Sequence, residues 1–341
     1  KIKYGLIFRN LEPSNIIRSK SLTIAHHYQQ NINNILIKNN FFIGGHLLLM
    51  NYLNFEFETI YIGEHYDDYL TYDFELDEFG PQIFIPSATK YEFMFSTNSS
   101  NKISLNTKYN FFTRYVNDWN FTDKNSSYII ELIFKPYYFI TSKINYRRFN
   151  INESLYFLET IDDDEQEQDS DIHYIFSKKK GNTDILSFRL DGSLNTKFSI
   201  QLYSELFKNN YSFYDYRVLH GSDIVNNQGA PSLDDSFFNG NEEYPPLYFL
   251  SGEIDSEATY LDPNDAPYWF AQYINLNINC ILKWEYKNSS NFYLVWAYQK
   301  GVNGENFNSI IDLLNYDKQE NHNEIYNNQS IHLKIDYWFN I

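Results

Sequence analysis

One short segment of the chain, His220-Gly221-Ser222-Asp223, contains the three residue types of a hydrolytic triad. In a triad the histidine takes the proton of the serine and the carboxylate orients the histidine, so the side chains must converge from separate segments. Neighbouring residues in a loop point apart, and the eight histidines of the chain are scattered. The tetrapeptide therefore predicts an ordinary turn, and a hydrolase embedded in the fold is kept only as an alternative.

Other catalytic and cofactor motifs are absent from the sequence. It contains no glycine-rich phosphate loop, no HExxH motif and no Cys/His spacing typical of a metal site. The single cysteine, Cys280, cannot form an internal disulfide. We therefore expect no enzymatic activity, no catalytic residues and no cofactor.

Acidic residues are the remaining candidates for metal ligands, and they cluster in DDDEQEQDSD at 162–171 and again within 211–267. Carboxylate oxygens are the ligands that Ca²⁺ prefers. The spacing does not match an EF-hand loop, and a solvated acidic loop is the commoner structure of such a run. The sequence leaves metal binding open.

A further set of polar residues alternates with apolar ones along the chain. In QSIHLKIDYWFNI, residues 329–341, every second residue from Ile331 onward is apolar, whereas His332, Lys334 and Asp336 lie between them. A period of two places the two sets on opposite faces of an extended strand. The polar candidates of this and similar segments, which we expect to face an aqueous interior, are Glu56, Glu58, Lys102, Lys108, Arg189, Asp191, Lys283, Glu285, His332, Lys334 and Asp336.

The longest alternation lies at 274–287, where seven consecutive alternate residues are apolar, from Ile274 to Tyr286. A typical strand of a soluble sheet has about 5–6 residues. Strands that cross a bilayer at a tilt have about 9–11. The length of this segment therefore favours a membrane-spanning strand.

The whole chain can be divided into alternating segments of this kind, without a helical repeat or a Pro/Gly-rich linker. Thirteen strands are predicted, near 2–9, 18–29, 41–51, 54–65, 89–97, 102–114, 127–136, 139–160, 172–193, 196–210, 268–287, 290–301 and 329–341. A single domain over residues 1–341 accounts for them.

The predicted connections also follow a pattern, because short and long ones alternate from residue 51 onward. The short ones lie near 51–54, 98–101, 135–138, 192–196 and 287–290, and the long ones at 66–88, 116–126, 162–171, 211–267 and 302–328. Short periplasmic turns opposite long extracellular loops are typical of outer-membrane barrels. The segment 211–267 is the predicted extracellular or plug loop, since it is far longer than ordinary connections.

Composition agrees with such a barrel and excludes other classes. With 44 acidic against 27 basic side chains the net charge is −17, which argues against a nucleic-acid partner. The most apolar run, at 41–50, is about half the length that a spanning helix needs. The chain is polar on average yet rich in Tyr and Phe, as in barrels, which face lipid with alternate residues and collect aromatic residues at the interfaces.

Four stretches of the chain carry a resemblance to a known family: GPQIFIPSATKYEFMFSTNSSNKISL (80–105), SIQLYSELFKNNYSFYDYRVL (199–219), LKWEYKNSSNFYLVWAYQKG (282–301) and KIDYWFNI (334–341). They resemble an uncharacterised outer-membrane family of Bacteroidota, whose members carry a carbohydrate-binding-like domain of the family 9 type ahead of a barrel. The resemblance covers roughly residues 75–341, and the WEY and LVW pair of strands is its most specific part. It implies location and architecture, the C-terminal barrel of that family, and no catalytic residues.

The sequence thus predicts an all-β, antiparallel transmembrane barrel in the cell outer membrane, a channel, transport or scaffold component. The expected partners are outer-membrane lipid and lipopolysaccharide, with no nucleic acid. A soluble β-sandwich binding module is the alternative.

Bacterial single-chain barrels use even strand numbers, so an odd count has two explanations. Either one strand is miscounted between residues 1 and 50, which gives about 13–14 strands, or the barrel is completed by residues outside this chain. We predict the second: the chain is the C-terminal portion of a larger barrel, in which 2–9 pairs with a preceding segment or another outer-membrane subunit.

Overall fold

The structure is a computed structural model of the 341-residue chain. It describes residues 1–30, 36–67, 72–73, 78–79, 83–116, 121–162, 172–220, 232–234, 272–287, 289–303 and 325–337. All regular elements among these residues are β-strands, so the all-β prediction is confirmed. No helix in the described part of the chain has the length and hydrophobicity needed to cross a membrane.

Eighteen strands follow one another along the chain. They are β1 (Ile2–Asn10), β2 (Ile17–Gln30), β3 (Leu36–Leu49), β4 (Asn54–Ile62), β5 (His65–Asp67), β6 (Tyr72–Asp73), β7 (Glu78–Phe79), β8 (Ile83–Ile85), β9 (Ala88–Ser96), β10 (Ile103–Val116), β11 (Phe121–Tyr137), β12 (Ile140–Asp162), β13 (Ile172–Asn195), β14 (Phe198–His220), β15 (Ser232–Asp234), β16 (Gln272–Lys287), β17 (Ser290–Asn303) and β18 (Ile325–Asp336). Two short pairs, β5 with β8 and β6 with β7, lie outside the main sheet.

The main sheet has fourteen strands, and every neighbouring pair in it is antiparallel. Its order is β1-β2-β3-β4-β9-β10-β11-β12-β13-β14-β16-β17-β18, and β15 pairs with the end of β14. The strands of the path therefore follow chain order, as in a meander. Each of the thirteen predicted strands overlaps one strand of this path.

Several predicted connections are wrong in their bounds, and two of them differ by six residues or more at one end. Residues 121–126 belong to β11, so the expected long connection at 116–126 shrinks to 117–120, and the strict alternation of connection lengths fails there. Likewise β14 continues to His220, so residues 211–220 are strand rather than loop. Of the predicted plug loop, only these residues and β15 are described.

The sheet is open, so a closed barrel is not shown. Within the described residues, β1 and β18 form its two edges, and no pairing joins them. Direction reverses at each step of the path, so the first and thirteenth strands run parallel to each other. Two parallel edges cannot close the sheet with an antiparallel pair.

Few side chains form a dry core. Among the described residues, six hydrophobic side chains are buried, and three of them, Ile274, Leu276 and Val302, form one cluster across β16 and β17. A sheet of this size in a soluble domain would bury one whole face. The sheet therefore presents most of both faces to its surroundings.

Candidate functional site

Register divides the side chains of the main sheet into two continuous faces. Residues directly opposite each other in an antiparallel pair lie on the same face. On β10 to β13 the row Leu105, Leu132, Ile144 and Phe188 follows from three successive pairings. Such rows define what we call the apolar face, and the residues between them define the polar face.

The apolar face extends from one edge of the sheet to the other. It carries exposed large apolar side chains on β1 to β4, β9 to β13 and β18, whereas on β14, β16 and β17 those side chains, apart from Trp284, are half-buried or buried. Leu6 on β1 is 64% exposed, Phe93 on β9 is 51% exposed, Ile144 on β12 is 44% exposed and Leu333 on β18 is 62% exposed. Large apolar surfaces are rare on soluble monomers because water contact with them is unfavourable. This face requires an apolar environment or a partner that covers it.

Aromatic side chains mark the short-turn end of the apolar face, where β16 meets β17. Trp284 is half exposed there and lies edge-on to Tyr286, with ring centroids 6.1 Å apart. Lys287 donates a hydrogen bond to the hydroxyl of Tyr337 at 2.9 Å. Amphipathic rings with a polar partner suit an interface between apolar and aqueous layers.

All eleven sequence-predicted polar residues lie on the polar side of the alternation. Register places ten of them on the polar face of β4, β10, β13, β16 and β18, and Lys102 directly precedes β10. Whether this face lines an aqueous interior stays a prediction. The structure does not bring the eleven residues into one site, because they are spread over five strands.

One group gathers on β4, β9 and β10. Lys108 forms an ion pair with Glu92 at 2.6 Å, and Lys90 lies 3.4 Å from the same carboxylate. Glu58 lies directly opposite Glu92 in the register, so two carboxylates share one row. Like charges at opposed positions repel each other, and the two lysines offset that repulsion.

A cavity of about 150 Å³ lies beside this group. Its wall contains His46, Glu56, Glu58 and Glu92, together with Gly44, whose lack of a side chain keeps the space open. A β-carbon at Gly44 would lie 2.7 Å from the ring of Phe42. The cavity is a polar recess on the polar face rather than an enclosed pocket.

Two separate ion pairs lie near the short-turn end, one on β13 and one on β18, and each joins opposite charges along a single strand. Arg189 donates two hydrogen bonds to Asp191, at 2.7 and 3.1 Å, and Lys334 lies 3.2 Å from Asp336. The exposed side chains make these pairs weak contributors to stability. Charges of both signs are therefore distributed along the polar face.

Arg114 on β10 and Asp123 on β11 form a buried ion pair that the sequence did not indicate. Arg114 Nη2 donates to Asp123 Oδ2 at 2.7 Å, and Asp123, only 1% exposed, also accepts hydrogen bonds from Asn125 and Ser154. Burial raises the pKa of the Asp123 carboxyl, and Arg114 partly offsets that rise. The pair lies beyond the apolar rows, toward the 117–120 connection. No local sequence pattern indicates it, because Arg114 and Asp123 become neighbours only through the pairing of β10 with β11.

Lys179 on β13 forms another unpredicted contact group, beyond the apolar rows on the polar face. Its ammonium lies 4.3 Å from the ring centre of Tyr156, 4.0 Å from that of Tyr211 and 5.5 Å from that of Phe213. Burial lowers the pKa of Lys179. The cation–π contacts offset the loss of hydration and fix the three strands at this level.

No arrangement in the described part of the chain resembles a metal centre, because no three or more His, Cys, Asp or Glu side chains converge there. The acidic residues of 163–171 and of 235–267, which are the sequence candidates for Ca²⁺ ligands, lie outside the described residues. The residues Gly221 to Asp223 of the triad-like tetrapeptide lie outside them as well.

Comparison with protein-family models, curated proteins and solved structures finds no match for the chain.

Proposed function

We propose that the protein is the wall of a transmembrane β-barrel in a bacterial outer membrane, with its apolar face toward lipid. The exposed apolar face carries this proposal. It crosses every strand of the thirteen-strand path, and large apolar side chains such as Leu6, Phe93, Ile144 and Leu333 are 44–64% exposed on it. In a hydrocarbon environment such exposure is favourable, and every backbone group within a closed sheet is hydrogen-bonded.

The competing soluble sandwich is disfavoured by the same observation. A sandwich packs the apolar face of one sheet against that of another, about 10 Å away. Here the described residues of the apolar face are buried mainly around Ile274, Leu276 and Val302. A sandwich would bury this face along its whole length.

The polar face supports a hydrated interior and hence a channel or a transport role. Ion pairs such as Lys108 with Glu92, and charges such as Arg189 and Asp191, would each cost free energy in lipid but are hydrated in a lumen. A scaffold role is the second candidate, because a barrel with a filled interior has the same wall.

Reconstitution tests the proposal and separates its two roles. The full chain, folded in detergent, is expected to float with phospholipid vesicles in a density gradient after alkaline washing. Addition of the same preparation to a planar bilayer should give unitary conductance steps if the interior is open. Flotation without conductance would favour the scaffold role, and protein that stays soluble without detergent and does not float would contradict the barrel.

Closure of the wall needs strands beyond the thirteen, since β1 and β18 are parallel edges. If an odd number of strands is added between β1 and β18, both edges can form antiparallel pairs. If two copies of the chain lie in the membrane in the same orientation, β1 of one copy can pair with β18 of the other only in parallel. An unpaired edge in hydrocarbon costs several kcal/mol for each unsatisfied group. We therefore expect a strand from another segment or subunit between β1 and β18.

Crosslinking tests this closure. In a Cys280→Ser background, Arg9→Cys with Lys334→Cys places thiols on the polar face of the two edges, near the same short-turn end, and Arg9→Cys with Ser21→Cys places them on directly paired positions. A short bismaleimide should join the second pair in high yield and leave the first pair unjoined, as judged by gel mobility. High yield for the edge pair would show that β1 closes directly on β18.

A further inference from the structure

The apolar face changes character sharply at one level of β11 to β14. The last apolar row on the long-connection side includes Leu186 and Leu206, which are directly paired. The next row consists of Tyr128, Arg148, Asp184 and Lys208, and the row beyond it of Ser126, Asn150, Asn182 and Asn210. Polar side chains thus continue the same face immediately beyond its apolar part.

Basic residues dominate this polar extension. We call its basic members the basic patch: Lys124, Arg148, Lys178, Lys180 and Lys208, which register and strand alternation place on the apolar face. Two acidic residues, Glu153 and Asp184, share the area. A local excess of positive charge is unexpected in a chain of net charge −17, so the patch points to an anionic ligand.

Contacts around Asp184 hold the arginine of the patch in position. Tyr146 donates its hydroxyl hydrogen to Asp184 Oδ1 at 2.6 Å, and Asn182 donates to Oδ2 at 2.7 Å. Arg148 Nε lies 3.7 Å from Asp184 Oδ1 and donates to Asn150 Oδ1 at 2.9 Å. Asp184 is therefore engaged by three neighbours, which reduces its ability to repel an anion at the patch.

The location of the basic patch beside the apolar rows indicates that its ligand also has an apolar part. The rings of Tyr128, in the row of Arg148, and of Tyr146, in the row of Leu186, meet edge-on, 5.7 Å apart, at the boundary between the apolar rows and the patch. A ligand bound here has an apolar part against Leu186 and Leu206 and an anionic group next to Arg148. Clustered Lys and Arg beside a membrane surface attract anionic lipids, and guanidinium groups bind phosphate through directed hydrogen bonds.

We propose that the basic patch binds the phosphate groups of a phosphorylated lipid in the leaflet on the long-connection side. This rests on the proposed barrel function, because the lipid reaches the patch only when the apolar face lies in a bilayer. The Asn side chains of the outer row supply neutral hydrogen-bond donors within the same area. The site would select lipids by headgroup, while the apolar rows accept any acyl chain.

Native mass spectrometry of the full chain released from vesicles tests the site. The probes are bisphosphorylated lipid A and its dephosphorylated form, mixed equally. Charge-assisted hydrogen bonds contribute about 1.5–3 kcal/mol, so at least about tenfold preferential retention of the phosphorylated form is expected. Excess inorganic phosphate should not displace it, and displacement would assign the patch to free phosphate instead.

Two double variants locate the binding. Arg148→Gln with Lys208→Gln should abolish the preference, and Lys124→Gln with Lys180→Gln should reduce it several-fold without disturbing Asp184, since both lysines are exposed. The matched control, Lys143→Gln with Arg147→Gln, removes two charges from the polar face of β12 and should keep the preference. Equal retention in the wild type and both patch variants would overturn the site, whereas failure of the wild type to float with vesicles would overturn the barrel itself.

Discussion

Replacement of Ile144 by Arg is expected to destabilise the folded protein in a bilayer by about 2–4 kcal/mol, the cost of a basic side chain near mid-membrane on the lipid face. Ile144 lies on the apolar face, directly between Leu132 and Phe188 on the neighbouring strands. It is 44% exposed, so in water the same substitution would change the free energy of unfolding by about 0.5 kcal/mol or less. Urea unfolding of vesicle-inserted protein measures the difference.

Ser187→Arg is the matched control for this substitution. Ser187 precedes Phe188 on β13 and lies on the polar face, opposite Glu205, so an arginine there meets water and a carboxylate. The free energy of unfolding of the Ser187→Arg variant should stay within about 0.5 kcal/mol of that of the wild type. Equal effects of the two substitutions would contradict a lipid-facing apolar face.

Loss of Arg114 is expected to destabilise the protein by about 3–5 kcal/mol near pH 8, because it leaves a buried charge without its partner. Asp123 would retain only its neutral donors, Asn125 and Ser154. Arg114→Ala with Asp123→Asn removes the charge as well and should restore most of the stability. Denaturant unfolding of the folded protein in detergent measures all three proteins.

The effect of Arg114→Ala should also depend on pH. Burial raises the pKa of Asp123, and removal of the arginine raises it further. The folded variant then binds a proton more tightly than the unfolded chain, so its relative stability is retained at low pH and lost as pH rises through the folded pKa. The loss should therefore be clearly smaller at pH 4.5 than at pH 8, and a loss independent of pH would show that Asp123 is not the group responsible.

Local alternation was sufficient to predict the strands and their two faces. A period of two depends only on residues within one strand, so segments such as 274–287 could be assigned without knowledge of their neighbours. The eleven polar candidates fell on one side for the same reason. Glu92, the central carboxylate of the polar face, followed the same pattern but was not chosen, because its pairing with Lys108 is not visible in sequence.

Strand ends were harder to predict where both faces are polar. Residues 121–126 continue β11 beyond the apolar rows, and there the alternation of apolar and polar residues disappears although backbone pairing with β10 continues. Bulges between Ile151 and Ser154 and between Phe157 and Glu159 also shift the period within β12. A period of two in hydrophobicity predicts a strand only where one face contacts an apolar environment. It does not predict the part of a strand that extends beyond that contact.

The sequence by itself determined the thirteen strands of the meander, though not the short strands β5 to β8 and β15, and it determined the existence of one apolar face, because these features depend on short-range pattern and turn residues. Only the tertiary structure decided which strands' residues meet, since cross-strand partners depend on turn length and bulges. Arg114 meets Asp123, and Arg148 meets Asp184, across 9 and 36 residues of chain that no local pattern connects. The open edges at β1 and β18 likewise follow from the pairing of all strands together, because whether a sheet closes is a property of the whole sheet.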